Sequence, residues 1–356
     1  MQLVRDMTFR LTSFCLLTFA LASSAPAEES TKGVWTNPNA ESFPRSFKFQ
    51  GEYATDDWGA QVIALSDTDL QVVVYKGGLP GAGWDGKHKS LFQGAAAGLF
   101  AAVTTAEGDR KYLAKSADQF SATRKNPPEG QFAADGFIKR GLLHLKLEND
   151  QTLELKHIHR ASDTIGKKAP AGAIVLFDGT NKDHWDGGRV DEDTKLLNTD
   201  GKDMLTKQKF NNYRMHLEFM LPFRPDARGQ GRGNSGFYQV DHYEMQILDS
   251  FGLDGVDNEC GGIYQKANPK LNMCLPPLVW QSYDVEFHNA VADADGKKTK
   301  NARLTAYLNG VMIHDKLEID GKTGGSRGEP EGTPGPIKLQ GHGNPLQFRN
   351  IWIEAI

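Results

Sequence analysis

The sequence predicts an all-β chain, on three observations. Apolar and polar residues alternate over short runs, as in Gly141–Glu148, where Leu143, Leu145 and Leu147 share one side and His144 and Lys146 the other. Glycine and proline, 38 and 16 of 356 residues, punctuate these runs, as turns between many short strands require. Long stretches with the 3.6-residue period of a helix are missing. A sandwich or a barrel satisfies all three. At 356 residues the chain exceeds the usual single domain, so two domains are expected.

The N-terminus reads as an export signal over residues 1–27. Arg5 and Arg10 precede the apolar run Leu11–Leu21, and Ala25-Pro26-Ala27 supplies a small-x-small cleavage pattern. The run is shorter than the ~20 apolar residues a membrane span needs. A periplasmic or secreted protein follows, without a membrane span after cleavage. Cleavage moves the formal charge from −4 to −5. Neither value suggests a nucleic-acid or anionic-membrane partner.

Residues 28–45 read as a loose lead-in to a small β-rich domain ending near residue 160. Ala60–Ser66 and Asp69–Lys76 are β-branched runs, and Asn149-Asp150 turns Gly141–Glu148 into Gln151–His157 as a hairpin. Gly81–His88 fits the start of a phosphate loop, but His88 stands where a magnesium-binding Ser or Thr is needed and no helix pattern follows. It is a glycine-rich surface loop, from which Trp84 could border the groove of the second domain. Residues 161–172 read as a linker.

From residue 173 to 356 the chain is strand-rich again. Asn309-Gly310, between Leu304–Leu308 and Val311–His314, is the strongest hairpin signal present. Signal cleavage leaves Cys260 and Cys274, which in an oxidising compartment favour a disulfide; two free buried thiols are the alternative. No CxxC or HxxxH spacing suggests zinc.

The most informative stretch is Gly233–Ser250. After a polar turn, Glu244 and Gln246 fall on one face of a strand, and Tyr243, Met245 and Ile247 on the other. A carboxylate and an amide about 7 Å apart match the scale of one sugar ring. Asp284, Glu286 and His288 form a second polar face that would suit a two-carboxylate glycosidase or a metal. Glu218 faces away from Leu217 and Phe219, as a groove carboxylate or as the partner of Arg349. His342 is exposed by its flanking glycines.

Gly233-Asn234-Ser235-Gly236-Phe237-Tyr238, Tyr243–Ser250 and Cys260-Gly261-Gly262-Ile263-Tyr264 together resemble the 3-keto-disaccharide hydrolase domain family. Leu176–Thr180 with Trp185, Trp280-Gln281, Asn309-Gly310, Leu339–Gly343 and Phe348–Ile353 follow in that family's order, covering about residues 171–356. The resemblance implies a concanavalin A-like jelly-roll β-sandwich and an exported enzyme cleaving 3-keto-glycosides or disaccharides. A C3 ketone acidifies the C2 proton, a general base removes it, the C1 group leaves, and water adds, for net hydrolysis. His342, Glu244, Asp249 and Arg349 are the expected catalytic residues, with Arg349, Asn234 or a divalent metal ion polarising the C3 oxygen. Asn234, Ser235, Tyr238, Gln246, Glu218, Tyr264, Gln340 and Trp185 are the expected substrate contacts. A non-catalytic, lectin-like module is the alternative, since the fold serves both roles.

Overall fold

The computed structural model describes residues 33–356, so the export signal lies outside the described residues. All the long elements are strands, as expected. No helix among the described residues is long and apolar enough to cross a membrane.

Eight antiparallel strands between Gly51 and Ile158 close into a barrel, the first pairing with both the second and the last. Eight strands leave a lumen that side chains can just fill. Here Ala60, Val62, Val72, Val74, Phe92, Val103, Leu143, Leu145 and Leu155 are among those that fill it. The alternate residues Ile63, Leu65, Val73, Tyr75 and Leu91 face outward, yet they are buried in the core of the second half. Burial on both faces explains why Gln71–Tyr75 reads as a continuous run rather than an alternating one. Asp150, at φ +63, makes the expected turn between Leu142–Leu147 and Thr152–Ile158.

The remaining chain forms a two-sheet sandwich. The large sheet has eight strands, among them Tyr213–Met220, Trp280–His288, Ala302–Leu308, Val311–Ile319 and Gln347–Ala355. The small sheet has five, in the order Trp185–Asp186, Met204–Thr206, Lys338–Leu339, Asn234–Gln239, Tyr243–Leu248. Between the sheets Phe219 stacks on Tyr283 at 5.1 Å, and Phe237 meets Tyr283 in a tilted contact at 6.2 Å. Tyr213 and Tyr283 donate across the core to Gln239 Oε1 at 2.9 Å and the Gln246 carbonyl at 2.7 Å. Asn309 and Gly310, both at positive φ, form the expected tight hairpin with Leu308 opposite Val311.

Three expectations change. The lead-in is not loose: Trp35 bridges to Phe223, and Phe43 stacks on Phe47 at 3.8 Å, because four aromatic rings there bury one another. Residues 162–167 are docked on the large sheet rather than free, with Lys167 paired to Asp284 at 2.7 Å. Cys260 and Cys274 are buried free thiols, not a disulfide. Cys260 Sγ lies 3.3 Å from the Tyr283 hydroxyl, and Cys274 Sγ donates to the Leu248 and Leu275 carbonyls at 3.5 and 3.4 Å.

Candidate functional site

Each sheet of the sandwich has one face on the shared core and one face outward. Alternation sends Phe237, Met245, Ile247 and Leu339 of the small sheet inward and Asn234, Gly236, Tyr238, Glu244, Gln246 and Lys338 outward. Register completes the arrangement, because Tyr238 lies opposite both Glu244 and Lys338.

Glu244 is only 4% exposed. The Tyr238 hydroxyl stands 2.9 Å from Glu244 Oε2 and 2.9 Å from the Gly324 carbonyl, and accepts from Gln340 Nε2 at 3.3 Å. One phenolic proton thus serves two acceptors: it goes to an ionised Glu244, or to Gly324 when Glu244 is protonated. Burial pushes the Glu244 carboxyl up to about 7, against the opposing pull of Tyr238 and Lys338 and with a contribution from Asp203. Burial and the Glu244 charge push the Tyr238 phenol upward, so it stays a donor. Gly236 leaves the space the carboxylate occupies, since a Cβ there would collide with Glu244 Oε1 and stand 2.7 Å from the Tyr238 ring.

Lys338 is almost fully buried. Its Nζ pairs with Asp241 at 2.6 Å, donates to the Gly325 carbonyl at 2.6 Å, and lies 3.8 Å from the Tyr238 ring centroid. Asp241 sits beside Val240 in the hairpin turn, at φ +53 and +46. A β-branched residue there is strained. Arg327 Nε holds the turn through the Val240 carbonyl at 3.0 Å. His242, two residues before Glu244, is buried with neither ring nitrogen bonded among the described residues, and burial pushes it down to about 4.

The expected site residues part into groups. Glu244, Tyr238, Gln340, Asn234 and Gln246 share the outer face of the small sheet. Tyr264 borders it, its N–H donating to the Glu244 carbonyl at 3.1 Å. Ser235 points the other way and donates to the Gln340 carbonyl at 2.7 Å. His342 is exposed on the glycine turn after Gln340, and its ring makes no hydrogen bond among the described residues. The turn is tied to Lys338 through Asp203, which accepts from the Gly341 N–H at 3.1 Å and stands 3.9 Å from Lys338 Nζ.

Four expected site residues lie elsewhere: Asp249 and Arg349, expected as catalytic, and Trp185 and Glu218, expected as substrate contacts. Asp249 is fully buried against Arg232 at 2.7 Å, where the sandwich meets the barrel. Trp185 is a core residue, donating Nε1 to the Leu176 carbonyl at 3.0 Å. Arg349 and Glu218 pair at 2.7 Å on the outer face of the large sheet, with the whole core between them and Glu244. Asn350 Nδ2, the Gly166 N–H and His216 Nε2 complete the shell of Glu218 at 2.7, 2.6 and 3.4 Å. Burial would raise Glu218, but hydrogen bonds from His216, Asn350, Gly166 and Arg349 outweigh it and bring it down to about 2. Asp284 is drawn into this cluster, 3.0 Å from His216 Nδ1, while Glu286 pairs with Arg214 and His288 at the surface. Trp84 packs on Tyr75 at the edge of the barrel.

Sequence reasoning missed Lys338, Asp241, His242 and Asp203. Lys338 lies two residues before the expected Gln340, but its strand, Lys338–Leu339, is too short to show alternation. Among the described residues no cluster of three or more His, Cys, Asp and Glu side chains is placed to hold a metal ion. Two cavities of the described residues also lie away from Glu244. One of about 240 Å³ involves His157, Glu52 and Pro276, and another of about 660 Å³ lies on the barrel, neither lined by Glu244 or its partners. The candidate site rests on the side-chain chemistry of the small sheet rather than on cavity size.

Residues 172–354 match the family described as 3-keto-alpha-glucoside-1,2-lyase-like domains. A solved candidate glycosyl hydrolase from Parabacteroides distasonis is 34% identical, with 53% of this chain and 85% of that chain covered and a TM-score of 0.49. Another from the same organism is 20% identical, covering 52% of this chain and 94% of its own, with a TM-score of 0.38. No curated protein matches the chain.

Proposed function

The chain belongs to the 3-keto-alpha-glucoside-1,2-lyase-like domain family, and from that premise we propose that it cleaves 3-keto-glycosides on the outer face of its small sheet. Glu244 is the general base. A carboxyl poised near 7 is ionised often enough to take a proton and basic enough to hold one. It removes the C2 proton, and the electron pair moves into an enolate on the C3 oxygen.

The Lys338 charge and the Gln340 amide favour that developing negative charge. As the enolate collapses, the C1–O bond breaks and protonated Glu244 returns its proton to the departing oxygen. The products are an unsaturated 3-keto sugar and an alcohol. Water adding across the double bond at C1 and C2 gives the free 3-keto sugar, so the sum is hydrolysis.

The buried, under-coordinated Glu244 is the observation that carries this reading. A binding module needs hydrogen-bonding amides but no carboxyl matched to neutral pH. The test is to incubate the protein with a 3-keto disaccharide in deuterium oxide and follow the mixture by NMR. Release of the second sugar, with deuterium entering C2 of the oxidised ring, is the expected result. Cleavage of the unoxidised disaccharide, with no C2 exchange, would replace elimination with ordinary glycoside hydrolysis.

A further inference from the structure

Two separate parts of the chain build the polar face beside Glu244. Gln230 lies outside the small sheet, half-buried on the 3-10 turn Gly229–Gly231. Its Oε1 accepts from Asn234 Nδ2 at 2.6 Å and from Gln246 Nε2 at 3.3 Å. Gln246 Nε2 also donates to Asn234 Oδ1 at 2.8 Å. The three amides close on one another and leave one end free, because Gln246 Oε1 is buried without a donor among the described residues.

A buried carbonyl oxygen left without a donor is costly, and a ligand hydroxyl relieves that cost. Amides both donate and accept, as hydroxyl groups do, so the cluster suits a polyhydroxylated ring better than an anion. It begins one two-residue step, about 7 Å, from Glu244. Gly236, opposite Gln246, contributes no side chain to the intervening floor. That distance is the width of one ring.

The barrel holds Gln230 in place. Arg228 donates Nη2 to the Leu65 carbonyl at 2.8 Å and lies 5.3 Å from the Phe120 ring centroid. Arg232 donates Nη1 to the Ala64 carbonyl at 2.9 Å while its Nε is paired with Asp249. Leu113 packs on Gly229, where an added Cβ would meet its Cδ1 at 3.5 Å. The turn is therefore anchored on both sides of Gln230.

We propose that the barrel is a working part of the substrate groove: it fixes Gln230 in an amide subsite, with Asn234 and Gln246, that reads the hydroxyls of a second sugar ring. This rests on Glu244 as the reacting centre.

The full-length protein is assayed on a 3-keto disaccharide and on methyl 3-keto-glucoside. Wild type favours the disaccharide in kcat/KM, and Gln230→Ala lowers that preference about tenfold. Leu113→Ala, which touches no substrate, lowers the same preference through KM rather than kcat. Equal losses on both substrates, or no loss on the disaccharide, overturn the proposal.

Calorimetry with the unoxidised disaccharide and its monosaccharide reads the subsite without chemistry. Wild type binds the disaccharide more tightly, and Gln230→Ala removes the difference. Equal affinity of wild type for the two sugars also overturns the proposal. Preferential binding without turnover of any 3-keto-glycoside would instead retire Glu244 as the reacting centre and leave the subsite standing.

Discussion

The sandwich buries a glutamate on the outer face of each sheet, and their carboxyl pKa values are pushed in opposite directions from the ordinary one. Glu218, on the large sheet, is held by Arg349, Asn350, the Gly166 N–H and His216, and lies near 2. Glu244, on the small sheet, has one phenolic partner that it shares with Gly324, and lies near 7. Burial pushes both upward; the number of donors decides which way each ends. A carboxylate saturated with donors is fixed as an anion and serves structure. One left short of donors can take and return a proton. The coverings differ in the same way: residues 162–167 seal Glu218, whereas the Gly324 carbonyl and the half-buried Tyr264 flank Glu244.

The largest expected difference between the two is in turnover. Glu244→Gln keeps the shape and removes the base, so kcat on a 3-keto disaccharide falls about 10²–10⁴-fold. Glu218→Gln leaves kcat within about twofold, because its side chain faces away from the small sheet. If the two variants lose activity equally, the assignment of roles collapses.

Stability runs the other way. Glu218 goes from an ordinary value of 4.5 to about 2 on folding. Its contribution, about 3 kcal/mol, is therefore present above pH 4.5 and fades as pH falls toward 2. Thermal melts of Glu218→Gln should show that loss at neutral pH and convergence with wild type in acid. Glu244 is raised from 4.5 to about 7, so folding favours its protonated form and wild type weakens as pH rises between those values. Glu244→Gln should match wild type in acid and gain up to about 3 kcal/mol above pH 7. An active-site variant that melts higher is the sign expected of a site kept at a cost to stability.

The smallest change expected is at His342. It is exposed on a glycine turn, with no bonded partner for its ring among the described residues. His342→Ala should lower kcat/KM by less than tenfold, measured on the same disaccharide. A loss as large as that of Glu244→Gln would move the proton chemistry to the rim of the site.

The sequence revealed more of the fold than of the site, for physical reasons. Alternation put Glu244 and Gln246 on one face and turned Glu218 away from Leu217 and Phe219, because a strand's period needs only neighbours. It could not say that these faces belong to opposite sheets, which depends on pairings between segments far apart in the chain. Arg349 is the partner of Glu218, one of the two readings its sequence allows, and the place beside Glu244 that the family resemblance implies is not where it lies, because the core stands between. Lys338 meets Tyr238 through a strand of two residues, Lys338–Leu339, too short to leave a pattern. The barrel's closure, and its hold on Gln230, are likewise invisible without long-range pairing.

The contrast between the two glutamates rests most directly on the titration of one group during turnover. We would measure kcat/KM on a 3-keto disaccharide from about pH 5 to about pH 9 for wild type and for Glu244→Gln. Wild type should rise through an inflection near 7 that the variant lacks. An inflection near 7 that survives in Glu244→Gln would assign the proton transfer to another residue.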